Sequence, residues 1–194
     1  MRMRRAFGVA IAVACLATCL ASTGAAADLP RKAPPLTIGL PGGGKLALDS
    51  YKGKAVLLAF ILTTCPHCQF TTGLLKQFQT EYGPRGLQVV EAAIDQGAEM
   101  LVPGFIQRFT PNFPAGFVAY DTSAQFIQHN PMMIMHVPAL VFIDRQGTIR
   151  AEFEGDDPIF SEETQEKNLR EQVEKLLHAG DLTRKTPSKA PAKN

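Results

Sequence analysis

Residues 55–68 constrain this chain more than any other stretch. Residues 55–62 (AVLLAFIL) form an unbroken apolar run that leads straight into Thr63-Thr64-Cys65-Pro66-His67-Cys68. Such a run suits a strand buried on both faces, as in a parallel or mixed sheet covered by helices. Phe70, Leu74, Leu75 and Phe78 then recur at helical spacing, and Gly83-Pro84 closes that segment. Pro66 suits a first helical turn, where its missing N–H costs nothing. The expectation is a buried strand that turns directly into a helix, with two cysteines at the turn.

Strand and helix signals continue along the chain. Residues 36–40 and 45–48 flank Pro41-Gly42-Gly43-Gly44 and predict a hairpin. Residues 87–94 predict a second buried strand, and residues 99–108 a helix weakened by Pro103. A short strand is expected over 117–120 and a short helix over 123–129, capped by Ser123. Residues 139–143 (ALVFI) are a third strong strand. Asp144-Arg145-Gln146-Gly147 then turns the chain into residues 148–154, its antiparallel partner. Ser161 is expected to cap a last helix, with Glu162 and Glu163 in its first turn. Leu169, Val173, Leu176 and Leu177 would form that helix's buried stripe, and Gly180 would stop it. Phe105, Phe109, Phe113 and Phe117 are spaced by four, but Pro111 and Pro114 break any single helix through them, so core packing is expected. The order predicts an α/β sandwich around a mixed sheet. It spans residues 36–180, after a Pro-rich linker over 28–35 and before a disordered basic tail over 181–194.

Arg2, Arg4 and Arg5 precede an apolar run over residues 7–20, and Ala25-Ala26-Ala27 supplies small residues for cleavage. Residues 1–27 thus have the pattern of a secretory signal, and the expected location is periplasmic or otherwise extracytoplasmic. A retained membrane anchor is the alternative, although a bilayer span needs about 20 apolar residues. Lipid modification at Cys15 or Cys19 is a third option. The whole chain has a formal charge of +2. With the signal's three arginines set aside, 17 basic residues face 18 acidic ones. Neither that balance nor any basic stripe or RNA-binding motif points to a nucleic-acid partner. Export also removes Cys15 and Cys19, leaving the single C-x-x-C pair in an oxidising compartment.

A helix start carries unpaired N–H groups and about half a positive charge. Cysteines so placed have pKa values of roughly 3.5–7.5, against about 8.5 for a free thiol. Cys65 is therefore the candidate attacking sulfur, and Cys68, one turn on, the candidate resolving sulfur. His67 between them is expected to favour the Cys65 thiolate and with it the reduced pair. A purely structural disulfide here would close a loop too small to stabilise much. A structural zinc site would need a second pair of ligands. No metal and no organic cofactor is expected, because electrons pass between sulfurs.

The strand–Cys65-Pro66-His67-Cys68–helix order, the early hairpin and the long segment before the last hairpin resemble the thioredoxin superfamily. The closer likeness is to its TlpA/ResA-like, AhpC/TSA-related branch. The resemblance implies a thioredoxin-like three-layer α/β sandwich: a central mixed β-sheet with an N-terminal β-hairpin and flanking helices. Cys65-Pro66-His67-Cys68 also matches the active-site tetrapeptide of the bacterial disulfide oxidant DsbA. Val137-Pro138, just before ALVFI, fits the family's cis-proline, which places the Val137 backbone beside an incoming peptide. Met132, Met133, Met135 and His136 precede it and are expected to form an adaptable surface for protein substrates. Copper(I) binding, as in Sco-type chaperones, is the rival reading of those residues. The implied activity is disulfide exchange with protein substrates, oxidation slightly favoured over reduction, with a membrane redox partner resetting the pair. Two departures stand out. Thr64 replaces the family's Trp, and Ala59 replaces the buried Asp that serves the resolving cysteine in thioredoxins. Glu91 and Asp95 are alternatives for that Asp, but are expected to face solvent. Peroxiredoxins place Thr three residues before the reactive cysteine. Leu62 stands there, which weighs against a peroxidase.

Overall fold

A computed structural model describes residues 28–182. In chain order they form β1 (Arg31–Lys32), β2 (Thr37–Gly39), β3 (Lys45–Ala47), β4 (Ala55–Ile61), α1 (Pro66–Tyr82), β5 (Leu87–Ala93), α2 (Ala98–Phe109), β6 (Ala115–Phe117), α3 (Tyr120–Phe126), β7 (Ala139–Ile143), β8 (Thr148–Phe153) and α4 (Gln165–Leu182). The strands make one mixed sheet in the order β1-β8-β7-β4-β5-β6-β2-β3. β5 lies parallel to β4 and β6, and β7 lies antiparallel to β4. A parallel pair needs a crossover, and α1 supplies it between β4 and β5. This is the expected three-layer sandwich with its N-terminal hairpin, β2–β3.

All seven residues of β4 and all seven of β5 are buried. Side chains alternate across a strand, so each strand feeds two cores. Leu57, Ala59 and Ile61 face α1, α2 and α4, where they meet Leu75, Phe78, Val102 and Leu169. Val56, Leu58 and Phe60 face the other way, toward Leu36, Ile38 and Phe126. Each fully buried Leu or Phe contributes roughly 1.5–3 kcal/mol. β4 is therefore fixed from both sides, and the residues that follow it start from a rigid point.

Several elements differ from the sequence expectation. Arg31 and Lys32, inside the expected linker, pair with Ile149 and Thr148 of β8 at the sheet edge. Arg31 also forms an ion pair with Glu152. β6 begins two residues before the expected strand. α3 begins at Tyr120, so Ser123 lies inside it; its hydroxyl donates back to the Tyr120 carbonyl (2.7 Å). α4 begins at Gln165, because the Ser161 carbonyl accepts from the Thr164 and Gln165 N–H groups and closes a turn first. α4 also continues through Gly180. Phe70 is 53% exposed and does not join the stripe of Leu74, Leu75 and Phe78. Phe105 and Phe113 are core residues, with Phe109 and Phe117 packed against them. The expected signal, residues 1–27, and residues 183–194 lie outside the described residues. Among the described residues no helix is long and apolar enough to cross a membrane.

Two glycines give a direct test. A Cβ on Gly155, just past β8, would sit 2.5 Å from the Val137 carbonyl oxygen and 2.7 Å from its carbon. Gly73, exposed in α1, has open space around it. Gly155→Ala should therefore lose about 1–3 kcal/mol as backbone pushes backbone. Gly73→Ala should gain about 0.5–1 kcal/mol from helix propensity. Urea unfolding of both variants checks this; an unchanged midpoint for Gly155→Ala would show that the two segments part freely.

Candidate active site

Cys65 is the N-cap of α1. Its sulfur accepts from the Cys68 N–H at 3.4 Å, the bond an N-cap side chain makes to the third helical residue. Pro66 occupies the first helical position, and the first turn holds no acidic residue. The helix thus presents an unshared donor and its positive end to one sulfur. Both cysteines are reduced; Cys65 is half-buried and Cys68 fully buried. The loop between β4 and α1 is held from the side. Asp95, at the end of β5, accepts from the Thr63 N–H (2.9 Å) and the Thr63 hydroxyl (3.0 Å).

Glu91 lies on the same face of the sheet. Its Cα pairs with Ala59 across β4 and β5, and it shares the α1 side with Val89 and Ala93. It is 1% exposed, which corrects the expectation that it faces solvent. Thr72 Oγ1 lies 2.7 Å from Glu91 Oε1 and 3.0 Å from the Cys68 carbonyl. A hydroxyl has one hydrogen. Both contacts are satisfied when Glu91 is protonated and donates to Thr72, which donates onward to Cys68. Glu91 Oε2 is buried without a hydrogen-bond partner. Burial pushes the Glu91 carboxyl up to about 7, with the Thr72 contact opposing. Burial also pushes the Cys68 thiol up; a backbone hydrogen bond with Leu62 opposes this, while Cys65 and the Glu91 charge add to it. A buried thiol that resists ionisation thus stands beside a carboxyl that takes up or releases a proton near neutral pH.

The other expected site residues are placed less simply. The His67 Nε2 contacts Gln165 Oε1 (3.3 Å), and its ring meets Phe160 edge-on. The Val137–Pro138 peptide is cis, as the resemblance implies. Val137 and Cys65 each pack against the α1-side core. Met135 is only 5% exposed and packs in the opposite core. Met132, Met133 and His136 are exposed, as is Ile134, so of the loop's four candidate residues Met135 alone turns inward. Glu154 fastens the loop: Oε1 meets His129 Nδ1 (2.8 Å) and Oε2 accepts the His136 N–H (3.1 Å). His129 Nε2 meets the Met133 carbonyl (3.1 Å), so both ring nitrogens face acceptors, an arrangement satisfied in full by the imidazolium. Burial works against that charge, but the Glu154 and Met133 hydrogen bonds outweigh it and raise the His129 pKa.

The Redoxin family profile matches residues 31–172, which covers β1 through the middle of α4. The chain belongs to the Redoxin family. It is 25% identical over 129 residues to the thiol-disulfide oxidoreductase ResA of Bacillus thuringiensis subsp. konkukian, covering 66% of this chain and 71% of that one. It is 26% identical over 121 residues to the thioredoxin-like protein YneN of Bacillus subtilis, covering 62% and 68%. Its fold is similar to two crystal structures from Chlorobium tepidum, one named as a thiol:disulfide interchange protein DsbE, with a TM-score of 0.64, and one as a thiol:disulfide interchange protein of the thioredoxin family, with a TM-score of 0.63. The second of these is 21% identical and covers 77% of this chain and 98% of that one. Family and paired thiols together make this Redoxin-family chain a thioredoxin-like thiol–disulfide oxidoreductase.

Glu91 was readable in principle. A strand buried on both faces has no solvent-facing position, so a lone acid in LQVVEAA must be buried. The ordinary value of this carboxyl is 4.5. Between there and about 7 the unfolded chain has lost its proton while the folded chain keeps it, so stability falls as pH rises. Below that window both states are protonated; above it both are ionised and the loss is complete. The span corresponds to about 3 kcal/mol. Urea unfolding of the reduced protein at pH 5 and pH 8 should show this drop, and Glu91→Gln should flatten it. An equal drop in the variant would assign the pH dependence to other groups.

Proposed function

We propose that this chain reduces disulfides in extracytoplasmic protein substrates through Cys65 and Cys68, with Glu91 as the proton acceptor for Cys68. The observation that carries this reading is the buried Glu91 carboxyl linked through Thr72 to the Cys68 backbone. Ala59 alone argues against an efficient reductant, because it leaves the resolving thiol without the carboxylate that thioredoxins have. Glu91 stands directly across from Ala59 and meets that need from the next strand.

The Cys65 thiolate attacks one sulfur of a substrate disulfide. A mixed disulfide forms and one substrate thiolate leaves. Cys68 gives its proton to Glu91 and attacks the Cys65 sulfur, which releases the second substrate thiolate. Two electrons have then passed to the substrate, and the pair is oxidised. A dithiol partner must return them; a membrane-bound donor fits an exported protein. The cis Val137–Pro138 segment is the backbone that a substrate would pair with, and Phe70 and Met132 offer exposed apolar contact for an unfolded chain. Export itself rests on the signal pattern in residues 1–27.

Oxidation is the second reading, favoured by His67 in the Cys65-Pro66-His67-Cys68 sequence. The potential of the pair, set against glutathione, separates the two. A value near thioredoxin's roughly −270 mV is expected, and one near DsbA's roughly −120 mV would reverse the direction. Cys65→Ser should abolish insulin reduction, and Cys68→Ser should accumulate the mixed disulfide. Glu91→Gln should slow its resolution roughly 100-fold near neutral pH. Rapid-quench measurement of the mixed disulfide reads this out, and wild-type resolution in Glu91→Gln would remove Glu91 from the mechanism.

A further inference from the structure

Gln165 opens α4 and is completely buried. A polar side chain so placed must find its partners inside the protein. Its partners also fix which way its amide points. The Thr71 hydroxyl donates its single hydrogen to the His67 carbonyl (2.9 Å), so toward Gln165 (2.8 Å) it acts as acceptor. The amide nitrogen of Gln165 therefore faces Thr71, and the amide oxygen faces His67 Nε2 at 3.3 Å. An amide oxygen only accepts, so Nε2 carries a hydrogen. The Phe160 ring, edge-on to the imidazole with centroids 5.6 Å apart, holds the ring from another side.

We propose that Gln165 is a positioning residue for disulfide exchange, holding His67 in the Nε2–H form with Nδ1 as the ring's open nitrogen. This rests on the exchange reading above. Gln165 accepts from Nε2 whether the ring is neutral or cationic, and so holds the imidazole two residues from Cys65 in one orientation. Reduction of the Cys65–Cys68 disulfide takes two electrons from the dithiol partner, which becomes a disulfide, and breaks the S–S bond. One of the partner's protons goes to Cys68 and the other to solvent, leaving Cys65 as thiolate. A cation beside that thiolate favours the reduced pair. Gln165 thus gives the base of α4 a hold on the thiol–disulfide equilibrium from outside the Cys65–Cys68 motif.

The test uses the full chain. Nitrogen-15 imidazole shifts of neutral His67 should report the Nε2–H tautomer in the wild type and a mixture in Gln165→Met. Equilibration with glutathione should show the reduced form of Gln165→Met disfavoured about tenfold, a potential lower by about 30 mV. In a His67→Phe background Gln165→Met should change nothing further. A wild-type Nδ1–H tautomer would overturn the proposal. So would an equal shift in the His67→Phe background, which would assign the effect to Thr71 and helix packing. If Gln165→Met does not fold, Gln165→Glu, which keeps the acceptor, should retain Nε2–H, and loss of it would count against the proposal. A wild type that fails to cycle would instead defeat the exchange reading, and the tautomer measurement would stand apart from it.

Discussion

The hydrogen bonds between Asp95 and Thr63 join the end of β5 to the short link between β4 and α1, and the chemistry hangs from that link. β4 is packed on both faces and cannot shift along its axis without exposing one core or the other. α1 is packed along Leu74, Leu75 and Phe78 and is equally fixed. Only three residues separate Cys65 from the end of the strand, and the carboxylate of Asp95 takes up the donors that this sharp exit leaves. The sulfur of Cys65 therefore sits at the helix end as a result of packing elsewhere. The backbone N–H groups and positive end of α1 meet the sulfur there.

In the proposed mechanism the carboxyl that takes the proton of the buried thiol can enter this face from either of two neighbouring strands. The acid on this face, Glu91, comes from β5, and a methyl group stands opposite it on β4. The two positions are cross-strand neighbours on one buried face. An acid at each would set two carboxyls side by side in the core, and their mutual repulsion would favour keeping one protonated. Thr72 completes the arrangement by occupying the one place from which a hydroxyl reaches both the carboxyl and the helix backbone.

The central strands were legible because their signal is local. AVLLAFIL, LQVVEAA and ALVFI are runs that nothing but a buried strand accommodates. The position of Cys65 followed from the run that precedes it. Glu91 was misread because an acid near a strand end suggests solvent, although its parity with Val89 and Ala93 points inward. Ser123 and Ser161 have the composition of caps but not the position: one turns its hydroxyl back into its own helix, the other closes the turn before α4 with its carbonyl. β1 is two charged residues long and exists because β8 offers it an edge. The partners of Gln165 lie 94 and 98 residues away, and no local pattern encodes them.

Glu154 binds the loop before Pro138 at both ends, through His129 and through the His136 amide. Between those anchors Met132, Met133 and Ile134 stand in water. A free loop that docked a partner would surrender backbone freedom at that moment, at roughly 1–2 kcal/mol per residue. This loop has already lost much of that freedom in folding, so association begins from an ordered apolar tip and the entropy of encounter falls mainly on the visitor.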